Sequence, residues 1–366
     1  MQTIKQLSFI TLFTSMLVIP MALTLPRVMA FAVPETKSVL NGELTRVFEK
    51  FVDDEIALKT VSKNLWAAMS YTLFNEGRQG VVIGTKAWLF TDEEIDPVHH
   101  SEMNYANNLQ TIFDVQHSLA QKQIKLLLVI VPAKARIYAD YLPHNTQPDA
   151  AHQTVYQRLQ NDVKNAGIAS SDALPALLAA REHGQVFLRT DTHWTTYGAS
   201  VVADTVATFI KQTRWINTNK QHYRTTIHEQ KKHQGDLLNY VPLSPWFDFM
   251  NPFSDFVIVQ KTTMMTDENT PNENTLFADA RLAVTLVGSS YSANPLWNFT
   301  GALQQAIGTE LMNVAKEGQG PVKPMLDYLQ SDDFHNNPPQ VVLWEFPERY
   351  LLMPHASNDE KQAINH

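Results

Sequence analysis

The sequence predicts an α/β protein with a mostly parallel sheet, and three observations support this fold class. Apolar residues make up 44% of the 366 residues and charged residues 18%, a composition typical of chains that form a core. Segments with helical periodicity alternate with short apolar runs, as in parallel sheets. Four of these runs predict strands buried on one or both faces: 125–131, 186–188, 282–287 and 340–346.

The other elements follow in chain order. Apolar residues near helical spacing predict helices over 36–76. Two short β-rich runs, 80–84 and 87–90, flank Thr85-Lys86 and predict a hairpin. The same helical periodicity predicts the remaining helices at 101–122, 150–166, 171–182, 196–212 and around 295–308.

The N-terminal segment predicts export. Lys5 is the only charged residue before Arg27, and the stretch between them is strongly apolar. A secretory signal core needs ~7–15 apolar residues and a spanning helix ~20, so this stretch fits a cleaved signal or a membrane anchor. Ala30-Phe31-Ala32 resembles a cleavage site, and a buried core helix is the third alternative. Both export hypotheses place the rest of the chain outside the cytoplasm.

These features predict the domain organisation. Residues 213–280 are polar and rich in Thr, Asn and His, so we expect an irregular insertion there, with a loop at 266–275. The predicted divisions are a signal peptide or anchor at 1–32, a helical segment at 33–79, the main α/β domain at 80–355 and a tail at 356–366.

Charge and cysteine content exclude several classes of function. Lys and Arg number 29 against 37 Asp and Glu, for a net charge of −8, which argues against nucleic acid as a partner. The chain has no cysteine, which excludes a disulfide framework, a thiolate metal site, an iron–sulfur cluster and a cysteine nucleophile. Three metal ligands at a recognisable spacing are absent, so we expect no metal and no cofactor.

Residues that follow the predicted strands carry the candidate chemistry, because ligands of open α/β sheets bind beyond the carboxyl ends of strands. Asp191 and His193 follow 186–188, and the serines of Gly288–Ser292 follow 282–287. A serine becomes a nucleophile when a histidine takes its proton and a carboxylate holds the other ring nitrogen. Gly288 permits a tight turn that exposes a hydroxyl and directs N–H groups at an oxyanion.

Each of these residues also has a purely structural alternative. Asp191 suits a turn or the N-cap of the helix that begins near Thr196, and His193 suits a partly buried, hydrogen-bonded position. The serines of Gly288–Ser292 suit caps of the following helix. The motifs alone therefore leave the catalytic and structural hypotheses open.

Taken together, the motifs resemble those of a known family. Asp191–Thr195 with Gly198 is similar to the DTHWT..G signature of the alginate O-acetylation proteins AlgJ and AlgX, and Gly288–Ser292 is similar to their nucleophile block. The resemblance covers about residues 80–350, where further landmarks of the family occur in order at 88–90, 131–143, 235–238 and 345–349.

The resemblance implies an SGNH-hydrolase-like three-layer fold in which the Asp and His motif precedes the Ser motif, a permuted order. It implies Ser290 as the nucleophile, His193 as the base and Asp191 as its orienting partner. Ser290 is preferred to Ser289 because it takes the third position of the Gly-x-Ser block.

We also expect four residues near these motifs to bind the substrate. Trp194 and Tyr291 are adjacent in sequence to members of the Ser290, His193 and Asp191 triad. Lys134 and Arg349 follow neighbouring strands. The two cations suit an anionic polymer.

The function implied is a periplasmic O-acetyltransferase that acts on hydroxyls of an exopolysaccharide, alginate or a similar polymer, through an acyl-enzyme. Its expected partners are the polysaccharide, a membrane-bound O-acyltransferase that relays the acetyl donor, and other exopolysaccharide secretion proteins. AlgX has a further C-terminal carbohydrate-binding domain for which this chain leaves no room, so AlgJ is the nearer match, including an inner-membrane anchor if the N-terminal segment is uncleaved. A polysaccharide acetyl-esterase with the same triad and a non-catalytic scaffold of a secretion complex are the alternatives.

Overall fold

The structure, a computed structural model, describes residues 2–33, 42–56, 59–216, 221–251, 254–265 and 283–354. The chain divides into two compact units. The first comprises Met1–Arg78 with Val241–Asn251, and the second comprises Gln79–Tyr240 with Pro252–His366.

The first unit contains the helices α1 (Gln2–Val28), α2 (Glu43–Glu55) and α3 (Lys59–Phe74). Among the described residues, Phe9–Val28 of α1 is the one helical stretch long and apolar enough to cross a membrane. Helices α2 and α3 confirm the predicted helical segment, although 34–41 lie outside the described residues.

The second unit carries the strands of the protein. Within the described ranges they are β1 (Val82–Ile83), β2 (Leu89–Phe90), β3 (Lys125–Val131), β4 (Ala169–Asp172), β5 (Tyr223–His233), β6 (Asp255–Met264), β7 (Val284–Val287), β8 (Leu311–Asn313) and β9 (Val341–Pro347). Its helices are α4 (Ser101–Gln121), α5 (Lys134–Ile137), α6 (Ala150–Asn165), α7 (Leu174–Ala180), α8 (Thr196–Thr213), α9 (Ser290–Ala293), α10 (Phe299–Ile307), α11 (Val322–Leu329) and α12 (Asp332–Asn336).

A five-stranded parallel sheet in the order β4-β3-β9-β7-β8 forms the middle layer. Successive residues of a strand point to opposite faces, and β3 shows the consequence. Its odd-numbered residues from Leu127 to Val131 join an apolar cluster with α8 and α10, and its even-numbered residues from Leu126 to Ile130 join a cluster with α4, α6 and α11. Helices therefore cover both faces of the sheet, which confirms the predicted three-layer α/β fold.

Several predicted elements agree with the structure. Strands β1 and β2 pair antiparallel and confirm the first hairpin. Strands β3, β7 and β9 confirm three of the four buried runs. Helices α4, α6, α8 and α10 confirm the corresponding periodic segments. The predicted loop at 266–275 and the tail from 356 onward lie outside the described residues.

The prediction of a sheet strand at 186–188 is wrong. Phe187 makes a single bridge to Trp194 and no ladder with the parallel sheet. The chain instead forms a tight turn directly after this segment. The amide of Leu188 donates to the carbonyl of His193, and the amide of Thr195 donates to the carbonyl of Val186. The three apolar residues of 186–188 are buried, but the segment is too short to form a strand of the sheet.

Strands β4 and β8 were not predicted. The residues of β4 are Ala, Ser, Ser and Asp, and β4 and β8 lie at the two edges of the sheet, where no continuous apolar run is required. The helix predicted over 171–182 is accordingly shorter, at Leu174–Ala180, because β4 occupies its first residues.

The polar insertion is also more regular than predicted. Strands β5 and β6 form a long antiparallel hairpin with a register shift between Ile227 and Glu229. Most β5 residues are exposed, so the apolar alternation that marks a half-buried strand is missing from the sequence. The base of this hairpin lies beside the candidate site described below.

Candidate active site

Ser290 is the first residue of α9, immediately beyond the carboxyl end of β7. The side chain of Ser289 accepts a hydrogen bond from the amide of Tyr291 and caps the helix. A Cβ atom at Gly288 would lie 2.4 Å from the carboxylate of Glu345, so only glycine fits this turn. The turn gives Ser290 a partly exposed position at the edge of the sheet.

Glu345 holds this turn from the neighbouring strand. It is fully buried within β9, and its carboxylate accepts from the amide of Ser289 at 2.8 Å and from the hydroxyls of Ser289 and Ser292 at 3.0 Å. Burial raises the pKa of Glu345 to about 7, although these hydrogen bonds oppose the rise. Sequence analysis used Glu345 only as a family landmark and missed its contact with the serines.

His193 lies between Ser290 and Asp191. The Nε2 atom of His193 is 2.8 Å from the Oγ atom of Ser290, and its Nδ1 atom is 2.6 Å from an Oδ atom of Asp191. The three side chains therefore come together as the sequence predicts, within the ~2.6–3.2 Å of productive proton transfer. Their catalytic roles are argued below.

The protonation of the site follows from Asp191. Burial alone would raise its pKa, but hydrogen bonds from His193 and His233 outweigh burial and hold the pKa well below its usual value. An ionised carboxylate only accepts hydrogen bonds, so His193 must present Nδ1–H to Asp191. In the neutral ring, the lone pair of Nε2 is then directed at the hydroxyl of Ser290, which is the tautomer that a general base requires.

Acidic side chains beyond the triad hold the loop that carries Asp191 and His193. Asp236 accepts from the amide of Thr192 at 2.8 Å and from its hydroxyl at 2.6 Å. Asp255, at the start of β6, accepts from the amide of Thr190 at 2.7 Å and from that of Arg189 at 3.1 Å. Both carboxylates belong to the insertion, so the insertion helps to hold this loop.

The structure corrects the expectation that Lys134, Trp194 and Tyr291 contact the polymer, because all three are buried, at most 1% exposed. The ammonium of Lys134 donates to the backbone carbonyls of Leu89, Arg189 and Asp191, and burial lowers its pKa to about 8. Trp194 packs edge-on against Tyr291. The hydroxyl of Tyr291 donates to the carbonyl of Thr192 at 2.6 Å. Lys134 and Tyr291 therefore hold the backbone of the loop that carries Asp191 and His193, and Trp194 packs against Tyr291.

Arg349 is also buried, at 6% exposed, but it differs from the other three predicted binding residues in having donors without a partner in the described part of the chain. Its guanidinium lies 5.7 Å from the ring centroid of Tyr291, and its Nε atom is 3.6 Å from the carboxylate of Glu93. Its buried Nε and Nη1 atoms have no hydrogen-bond partner among the described residues. Arg349 is the member of the set that retains donors for an anion, and its contact with substrate stays a prediction.

One group of side chains has the ligand types of a metal site. Within the described part of the chain, Asp191, His193 and Asp236 place ligand atoms within 4.8 Å of one another. The same atoms take part in the hydrogen bonds that align the triad and hold Thr192, which explains their proximity. The expectation of a site without metal stays a prediction.

Comparison with known proteins agrees with this architecture. Residues 81–348 match the family model described as the SGNH hydrolase-like domain of the acetyltransferase AlgX. In the solved structure of AlgX from Pseudomonas aeruginosa, 78% of this chain aligns with 65% of that chain at a TM-score of 0.59 and 22% identity, which supports the fold. The protein is thus of the SGNH hydrolase-like class.

More similar proteins define the family. A relative from Azotobacter vinelandii, the probable alginate O-acetylase AlgJ, is 46% identical over 323 residues, which cover 88% of this chain and 83% of the relative. The solved O-acetyltransferase domain of AlgJ from Pseudomonas putida has a TM-score of 0.70 and 40% identity, over 79% of this chain and 99% of that domain. The chain belongs to the AlgJ and AlgX family, as its motifs indicated.

Proposed function

We propose that this protein is an O-acetyltransferase that transfers acetyl groups to hydroxyls of alginate through an acetyl-enzyme on Ser290. The observation that carries the proposal is the continuous hydrogen-bonded chain from the Ser290 hydroxyl through His193 to the ionised Asp191. The naming of relatives as probable alginate O-acetylases supports the choice of polymer.

The first half-reaction loads the enzyme. The Oγ atom of Ser290 attacks the acetyl carbonyl carbon of the donor while Nε2 of His193 takes the hydroxyl proton. The bond to the donor's leaving group then breaks, and His193 returns its proton to that group. Asp191 keeps its negative charge throughout and stabilises the imidazolium that forms.

The second half-reaction transfers the acetyl group. A sugar hydroxyl gives its proton to Nε2 of His193 and its oxygen attacks the carbonyl carbon of the acetyl-serine. The bond between this carbon and the Ser290 oxygen breaks, the proton returns to Ser290, and a sugar acetyl ester leaves. The same steps with water in place of sugar would make the protein an esterase.

A transferase must favour the sugar over water at the acetyl-enzyme. Oriented binding can supply an effective molarity of ~10⁵ M or more, far above the concentration of water. Arg349 is 6% exposed, and it supports binding of an anionic sugar through its donors that are unpaired within the described ranges, which lie beside Tyr291, next to Ser290 in the chain. A uronate carboxylate matches such a guanidinium in charge and geometry.

The N-terminal helix supports a position at or beyond a membrane. Phe9–Val28 is apolar enough to cross a bilayer, which suits either an export signal or an anchor. On this basis we propose a periplasmic location. We propose further that a membrane-bound O-acyltransferase relays the acetyl group to Ser290, and that other polysaccharide secretion proteins assemble with the chain.

The decisive experiment measures transfer directly. Purified protein is incubated with p-nitrophenyl acetate as donor and with either uronate or neutral glucan oligosaccharides, and acetylated products are counted by mass spectrometry. We expect acetylated uronates, and none with Ser290→Ala. Release of acetate without any acetylated sugar would favour the esterase, and preference for glucans would remove alginate as the acceptor.

A further inference from the structure

We propose that His233 is a positioning residue of the triad, which holds the carboxylate of Asp191 in the orientation that His193 needs. His233 is the last residue of β5, in the insertion, and was not among the residues that the sequence singled out. This inference rests on the function proposed above, because it assigns a role within the same site.

The geometry around Asp191 supports this role. One carboxylate oxygen accepts from Nδ1 of His193 at 2.6 Å and from the amide of His193 at 2.9 Å. The other accepts from Nε2 of His233 at 2.7 Å and from the amide of Asp236 at 3.2 Å. Without His233, the second oxygen keeps only the longer of these two bonds, and the carboxylate is freer to rotate away from His193.

The hydrogen bond between His233 and Asp191 can have only one direction. Ionised Asp191 accepts and cannot donate, so His233 must present its Nε2–H to the carboxylate. This hydrogen bond raises the pKa of His233, while burial opposes the rise, and Asp255 and Asp236 are the other acidic groups that favour its charged form. In either protonation state of the ring, Nε2 carries the hydrogen that Asp191 receives.

The ring of His233 is itself fixed in place. It meets Trp297 edge-on, with ring centroids 5.6 Å apart, and Trp297 stacks on His193 with centroids 5.2 Å apart. The two imidazoles therefore share one carboxylate and one indole. Across the hairpin His233 pairs with Asp255, which binds the triad loop at Thr190.

Substitution of His233 can be separated from loss of fold. The side chain of His233 is 19% exposed and does not belong to either apolar cluster of the sheet, so truncation of the ring leaves those clusters intact. His233→Gln places an amide N–H close to the position of Nε2 and keeps the donor. His228→Ala is the matched control, because His228 is an exposed histidine of the same strand.

The experiment measures kcat and KM for hydrolysis of p-nitrophenyl acetate by the full chain, together with the unfolding temperature. We expect His233→Ala to lower kcat by ~10–100-fold, as for a displaced catalytic group, with KM little changed. His233→Gln should recover most of the lost kcat, and His228→Ala should match the unmodified protein. His233→Ala should unfold at a somewhat lower temperature, because the buried Asp191 carboxylate loses a donor. His233→Gln and His228→Ala should unfold at about the temperature of the unmodified protein.

Two results would overturn the proposal. One is an unchanged kcat in His233→Ala. The other is an equal loss of kcat in His233→Ala and His233→Gln, whether or not the two variants unfold earlier, because a donor that positions Asp191 must be rescued by another donor. Ser290→Ala separates this inference from the proposed function: if that variant retains full turnover, the triad itself is wrong, whatever His233 does.

Discussion

Replacement of Glu345 by glutamine tests whether ionisation of the buried carboxyl that holds the Ser290 turn lowers the free energy of unfolding. Glu345 is fully buried and accepts from Ser289 and Ser292, and burial raises its pKa from 4.5 to about 7. Glutamine has nearly the same shape. Its oxygen can accept from the amide of Ser289 while its NH₂ group donates to a serine hydroxyl.

The expected magnitude follows from linkage between ionisation and folding. A rise from 4.5 to about 7 corresponds to roughly 3 kcal/mol, since each pH unit is worth ~1.36 kcal/mol. Because the folded state prefers the protonated acid, this stabilisation is complete below pH 4.5 and is lost as the pH rises through 7. Glutamine cannot ionise, so the free energy of unfolding of Glu345→Gln relative to the unmodified protein should increase by about 2–3 kcal/mol between pH 5 and pH 8.

The assay is equilibrium unfolding by urea at pH 5 and pH 8, with the same salt at both pH values. Glu317→Gln is the control, because Glu317 is exposed and its replacement removes one charge without removing a buried one. The difference between Glu345→Gln and the unmodified protein should grow with pH, and that for Glu317→Gln should not. A difference for Glu345→Gln that stays constant between the two pH values would refute the reasoning.

Three further outcomes are expected. Ser290→Ala should lower turnover of p-nitrophenyl acetate by ~10³-fold or more without lowering the unfolding temperature, because triad members act as a unit; Ser289→Ala is its paired control, and loss of turnover there with retention in Ser290→Ala would move the nucleophile by one residue. Lys134→Met should lower the free energy of unfolding by ~1–3 kcal/mol, since it removes the donor to three backbone carbonyls; unchanged urea unfolding would contradict this. Turnover should survive a chelator, and loss that zinc restores would contradict the expectation of a metal-free site.

The sequence predicted the elements that are uniformly buried along their length. Strands β3 and β9 are buried over nearly their full length, so they appear as uninterrupted apolar runs. Strands β4 and β8 lie at the edges of the sheet, and the hairpin of β5 and β6 is largely exposed, so neither composition nor periodicity distinguishes them from loops.

The candidate site divides in the same way. Asp191, His193 and Ser290 stand in recognisable local motifs, and the structure brings them together. Glu345 stands in a family landmark that reveals no role for it, and His233 stands in no motif, because each acts through a partner that is distant in sequence. Lys134 was expected to bind the substrate, as a cation that follows a strand, and only tertiary packing reveals that its ammonium donates to backbone carbonyls.

The nucleophile and the base lie on different segments of the fold: Ser290 begins α9, and His193 lies in the loop before α8. The turn of Ser290 is held by Glu345 of the parallel sheet. The loop of Asp191 and His193 is held by Asp236 and Asp255 of the insertion in addition to Lys134 and Tyr291. A shortened protein engineered without the hairpin would therefore keep an intact serine turn but lose the geometry that activates it. Changes in this hairpin would therefore act on the position of the base, while the turn that carries the nucleophile keeps its own contacts with Glu345.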